Sequence, residues 1–124
     1  MESNSYLKRL IGKTVTKTDI STSTIIGILT NKEEPSNERM IMLLQLYLED
    51  YRLQIDNPVT IIPLDKELLD FVGLKVFDTN EKKEEAELIF DNGYKIIINM
   101  RDEVYYGPEA MSLYGPDNFC AVWN

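Results

Sequence analysis

The segment Ala86–Arg101 reads Ala-Glu-Leu-Ile-Phe-Asp-Asn-Gly-Tyr-Lys-Ile-Ile-Ile-Asn-Met-Arg, and few conformations suit it. Asp91-Asn92-Gly93 lies between two runs rich in β-branched and aromatic residues. Asn and Gly tolerate the positive φ angles of a tight turn, so the segment reads as a β hairpin. With all three turn residues in the loop and Gly93 as the bulge residue, Phe90 faces Tyr94, Leu88 faces Ile96 and Ala86 faces Ile98. That register gathers Ala86, Leu88, Phe90, Tyr94, Ile96, Ile98 and Met100 on one face. Glu87, Ile89, Lys95, Ile97 and Asn99 fall on the other. A two-residue loop would pair Phe90 with Lys95 and mix apolar with polar positions, which a half-buried sheet does not tolerate.

An earlier stretch follows the same pattern. In Leu44–Asp56, Leu46 and Leu48 match Leu88 and Phe90, and Tyr51, Leu53 and Ile55 match Tyr94, Ile96 and Ile98. This copy turns on Glu49-Asp50. It places Leu44, Leu46, Leu48, Tyr51, Leu53 and Ile55 on one face and Gln45, Tyr47, Arg52 and Gln54 on the other. The likeness reaches upstream, where Leu10-Ile11-Gly12-Lys13-Thr14-Val15 parallels Phe71-Val72-Gly73-Leu74-Lys75-Val76. Downstream, Pro58–Pro63 parallels Glu103–Pro108. The expected organisation is a single domain spanning 1–124. It holds two tandem related β units, at about 8–63 and 69–108, and a C-terminal hairpin at 109–124.

The first unit carries extra material. Thr22–Thr30 is rich in β-branched residues and reads as a strand, Asn31–Glu38 is a loop by composition, and Arg39–Leu48 is a long strand. Asn4–Leu10 suits a helical turn or two. A short helix near 65–71, capped by Asp65, would join the units and stop near Gly73. In the tail, Gly115-Pro116-Asp117-Asn118 is a turn linking Ala110–Tyr114 to Phe119–Trp123. The expected fold is mostly β, an antiparallel sandwich or a partly closed barrel.

Composition narrows function by elimination. The 124-residue chain is 44% hydrophobic, which suits a packed core, and it has no apolar run long enough to span a bilayer. The polar Met1–Ser5 does not read as a signal peptide, and one cysteine cannot form an internal disulfide. Both features lead to an expectation of the cytoplasm. The net charge of −8 is uneven: residues 1–20 carry +2 and residues 65–124 carry −7. An acidic surface disfavours general nucleic-acid binding and allows association with a basic protein.

No histidine is present, so the commonest general base and zinc ligand are missing. Cys120 has no imidazole to activate it, and its setting between Phe119 and Ala121 suggests a buried structural thiol. Glu84, Glu85 and Glu87 beside Lys82 and Lys83 look like a solvated connection. No phosphate loop or EF-hand pattern occurs, so no catalytic residue, metal site or cofactor is expected. Binding fits better. Arg9, Lys13, Arg52, Lys95 and Arg101 are the cations suited to an anionic ligand, and Tyr47, Tyr105, Tyr106 and Tyr114 are suited to stacking or filling a partner pocket. The second hairpin is apolar on both faces, which favours a second layer or a homo-oligomer.

Leu10-Ile11-Gly12-Lys13, Asp91-Asn92-Gly93, Pro108-Glu109-Ala110-Met111 and Val122-Trp123 together resemble small β-rich proteins carried by phages and prophages of Gram-positive bacteria. The resemblance implies action against host defences. One form is sequestration of a small nucleotide signal by a non-catalytic, homo-oligomeric binder. The alternative is an acidic inhibitor of the anti-CRISPR or immunity type, which masks a basic site on a host defence protein. An enzyme working through carboxylates is the third reading.

Overall fold

The computed structural model describes the backbone of residues 6–25, 39–101 and 110–123, and the side chains of these except 21–25 and 39–42. The described strands are β1 (Val15–Ile25), β2 (Arg39–Leu48), β3 (Tyr51–Ile55), β4 (Val59–Ile62), β5 (Val76–Glu81), β6 (Glu85–Phe90), β7 (Lys95–Asn99), β8 (Met111–Tyr114) and β9 (Cys120–Trp123). They form two antiparallel sheets, in the orders β1-β2-β3-β8-β9 and β4-β7-β6-β5. Outside the named strands, Thr14 bridges to Lys75, and no barrel closes among the described residues. The arrangement is sandwich-like.

Both hairpins adopt the faces that their alternation dictates. Leu88 pairs with Ile96 and Ala86 with Ile98. The Phe90 amide donates to the Tyr94 carbonyl, and Gly93 closes the turn at φ +94°. In the first hairpin Leu46 pairs with Leu53 and Leu48 with Tyr51 across Glu49-Asp50, where Glu49 takes φ +59°. Leu44, Leu46, Leu48, Leu53, Ile55, Leu88, Phe90, Ile96 and Ile98 are all buried in one cluster fed by both sheets. Tyr94 and Met100 pack at its margin. Burying each large aliphatic side chain stabilises the fold by roughly 1.5–3 kcal/mol, and this drives the two layers together.

Other expectations need correction. The helix near 65–71 is a single 3-10 turn at Leu68–Phe71, and its cap is Glu67 in a reciprocal box with Asp70 instead of Asp65. Leu68 and Phe71 point into the core while Leu69 stays exposed. A second 3-10 turn, Tyr6–Leu10, buries Leu7 and Leu10. The strand expected at Thr22–Thr30 is the end of a longer β1, and residues 26–30 lie outside the described ones, as does the loop at 31–38. Cys120 is exposed. Alternation along β9 turns Ala121 inward and Cys120 outward, so the expectation of a buried thiol fails on parity.

The segments Gly12–Val15 and Gly73–Val76 meet around the Thr14–Lys75 bridge with reciprocal bonds. Gly12 N donates to Val76 O and Gly73 N to Val15 O, both at 2.8 Å. Val15 N donates to Leu74 O at 2.9 Å and Val76 N to Lys13 O at 3.0 Å. Each strand that follows carries a register shift at the same place, Val15/Lys17 in β1 and Val76/Asp78 in β5. The pattern is a local twofold. It extends to the fourth strands, which are exchanged: β4 pairs with β7, and β8 pairs with β3. The place equivalent to β4 is therefore taken by β8. Residues 103–108, matched to Pro58–Pro63 from the sequence, lie outside the described residues.

Candidate functional site

The cations and tyrosines singled out from the sequence lie in separate surface groups. Arg9 and Lys13 gather at Tyr51. Arg9 Nε donates to Tyr51 Oη at 3.1 Å, and its guanidinium carbon lies 3.9 Å from the centroid of the Phe119 ring. Lys13 Nζ lies 3.2 Å from Asp50 Oδ1 and 5.4 Å from the Tyr51 ring centre. Carboxylates of the Glu49-Asp50 turn therefore already hold the Lys13 charge. Beside this group Lys8 pairs with Asp78 at 3.4 Å. The Thr79 amide, and then the Lys8 ammonium, hold the Asp78 carboxyl below its usual range.

Tyr47 and Arg52 occupy the outer face of the β1-β2-β3-β8-β9 sheet. Register places Lys17, Tyr47, Arg52 and Tyr114 in one row across four strands. Arg52 lies 4.6 Å from the Tyr114 ring centre and Lys17 lies 5.2 Å from that of Tyr47. Tyr47 Oη and Arg52 Nη1 both donate to Gln45 Oε1, at 3.2 and 3.3 Å. The polar groups of the row bind one another.

Lys95 and Arg101 belong to the other sheet. Along β7, alternation turns Lys95, Ile97 and Asn99 to the outer face while Ile96 and Ile98 enter the core. At the far end of this face is an open cavity of about 650 Å³. Thr60 of β4 with Ile97 and Asn99 of β7 supply part of its lining, and Arg101 stands at the end of β7. The β5–β6 connection supplies Lys82, Lys83, Glu84 and Glu85. Lys95 shares the face but not the cavity. Tyr105 and Tyr106 lie outside the described residues.

Among the described residues the cavity's charges are mixed but net positive, with three cations against two carboxylates, in a chain of net charge −8. Arg101 Nε sits 3.6 Å from Glu84 Oε1, and Lys82 Nζ sits 3.9 Å from Glu85 Oε2. Among the described residues no carboxylate lies within ion-pair distance of Lys83. Both ion pairs are largely exposed, so each is weak and open to displacement by another anion. Behind the wall, buried Asn57 Nδ2 donates to Asn99 O at 2.8 Å and fixes the strand end. Its Oδ1 has no partner among the described residues.

By composition Lys82 and Lys83 read as a solvated connection. The register Ala86–Ile98 already carries their signal. Extended outward, it sets Glu84 and Lys83 beside Met100 and Arg101, and the Met100 amide indeed donates to Glu84 O at 3.0 Å. Thr60 was not foreseeable, because it arrives on β4 from the other half of the chain. No cluster of potential metal ligands occurs among the described residues. Compared with protein-family models, with curated proteins and with solved structures, the chain has no match.

Proposed function

We propose that the protein is a non-catalytic binder that captures a small anionic ligand of the nucleotide class in the cavity beside β7, and acts by withholding it. One observation carries the reading: Lys82, Lys83 and Arg101 converge on a 650 Å³ hollow in an otherwise acidic chain. That volume lies in the range of small-molecule sites. Guanidinium and ammonium groups are the natural partners of phosphate, and Thr60 and Asn99 add hydrogen-bonding capacity. The Ile97 side chain offers an apolar surface to a base or sugar. Withholding a nucleotide signal is the role implied by the resemblance to phage-borne anti-defence proteins.

The test is native mass spectrometry of the freshly purified chain with a panel of cyclic and linear nucleotides. A ligand adduct in fixed ratio to the chain, weakened in Arg101→Ala and in Lys83→Ala, supports the reading. Absence of any adduct, or an adduct indifferent to both substitutions, removes it.

One observation favours the alternative, a protein-binding inhibitor. Leu64 and Leu69 are 79% and 70% exposed, and they stand among Asp65, Glu67 and Asp70. An acidic segment bearing exposed leucines suits a basic partner with an apolar notch. Under that reading, Leu64→Asp with Leu69→Asp abolishes capture of the target while the cavity variants retain it.

A further inference from the structure

Each sheet of this fold has two edges, and they differ in how they are guarded. An unpaired strand edge is a template for another strand, and proteins commonly block it with charges, bulges or proline. Strand β1 carries a bulge together with Lys17 and Asp19. Strand β5 carries the equivalent bulge with Asp78 and Glu81. Strand β4 is uncharged but stands directly between Pro58 and Pro63. Strand β9 has none of these devices. It reads Cys-Ala-Val-Trp, pairs with β8 without a register shift, and has no proline at either adjacent position.

The geometry of β9 shows which groups are on offer. Gly115 N donates to Phe119 O, which fixes the hydrogen-bonding parity of the β8–β9 ladder. Ala121 and Trp123 therefore turn their backbone groups toward β8, and Cys120 and Val122 turn theirs to the side on which no described strand lies. Both side chains are exposed, Val122 at 43%. Tyr6, 48% exposed, lies alongside the strand, with its ring centre 5.7 Å from that of Phe119 and 6.4 Å from that of Trp123.

We infer that β9 is a self-association edge, on which a second copy of this chain pairs antiparallel about a twofold axis at Ala121. In that register Cys120 of each copy faces Val122 of the other, and the small Ala121 side chains meet at the axis. The two sheets then continue into one. The charges beside the strand argue for a second copy in this orientation. Arg9 stands over Phe119 at one end, with no carboxylate within ion-pair distance among the described residues. Glu81, an exposed carboxylate that accepts from the Trp123 indole and the Leu7 amide, stands at the other end. An antiparallel pair brings the Arg9 end of each copy to the Glu81 end of the other. It does so along an uncharged strip, in a chain that its net charge would otherwise keep apart.

The inference stands apart from the cavity, which lies on the other sheet. Its test is sedimentation velocity and native mass spectrometry of the full chain in reducing buffer, over a wide concentration range. The wild type is expected to dimerise. Val122→Pro removes an outward N–H that β8 does not use, and Val122→Lys places a charge on the open edge. Both are expected to be monomeric, with unchanged circular dichroism and a melting temperature that no longer rises with protein concentration. If the proline variant fails to fold, the lysine variant, which leaves the backbone intact, decides. A wild type that stays monomeric throughout, or a dimer that persists in a folded variant, overturns the inference.

Discussion

The side chains that set the cavity's charge balance work against one another. Among the described lining residues Arg101 is the one cation with a planar fork for a phosphate, and Glu84 occupies part of it. Arg101→Ala should raise the Kd of a bound nucleotide by about tenfold, equivalent to about 1.4 kcal/mol. Glu84→Gln removes the competing anion and should lower the Kd several-fold, with both read by titration calorimetry. A different carboxylate contributes to acid stability. The carboxyl of Asp78 lies below its usual range because the Thr79 amide and Lys8 favour its ionised form. A lowered folded value stabilises the fold fully above the unfolded value, about pH 4, and the contribution fades as pH falls through the folded value. Asp78→Asn keeps an acceptor for the Thr79 amide and loses only the charge. Its melting temperature should fall below that of wild type near neutral pH, and the gap should close in strong acid. A gap that does not change with pH would assign the effect to packing instead.

Among the elements, the alternating hairpins were the most legible in the sequence. Register fixed by Asp91-Asn92-Gly93 and by the Leu44–Ile55 pattern told which side chains enter the core, because a one-residue slip would expose every one of them. The short 3-10 turns were legible only as helical tendency, since four or five residues carry too little periodicity to fix a cap. Cys120 was misplaced because its apolar neighbours suggested burial, whereas Ala121, flanked by outward residues, sets the parity. The cavity was half legible: Arg101 and Asn99 stand on a strand of known face, but Lys82 and Lys83 join them only when the register is carried past the strand ends. The paired glycine turns give an element-level prediction. Gly12 and Gly73 take φ +90° and +96°, and an added Cβ at either would meet nothing within 4 Å. Substitution by Ala therefore acts through backbone strain alone. Gly12→Ala and Gly73→Ala should each cost roughly 1–2 kcal/mol and nearly the same amount, measured by denaturant unfolding.

At the scale of the whole molecule, exchange of the fourth strands decides how the two halves hold together. We propose that both halves descend from one duplicated unit, a reading supported by the reciprocal bonds at Gly12–Val15 and Gly73–Val76. Whatever their origin, each sheet contains strands from both halves. Strand β4 lies beside β7 in one sheet and β8 beside β3 in the other, and the core cluster draws on Leu46 and Leu53 as well as Leu88 and Ile96. The covalent link between halves runs through Leu64 and Asp65, both exposed, before Leu68 turns inward. That link is not what holds the halves together, because separating them would uncover the shared core and break two strand pairings. A protease site placed at Leu64–Asp65 should therefore be cut without releasing either fragment. The nicked protein should elute from a sizing column as the intact chain does, keep its circular dichroism, and separate only in denaturant. Spontaneous separation in native buffer would mean that each half folds on its own contacts. The strand exchange would then add little to stability.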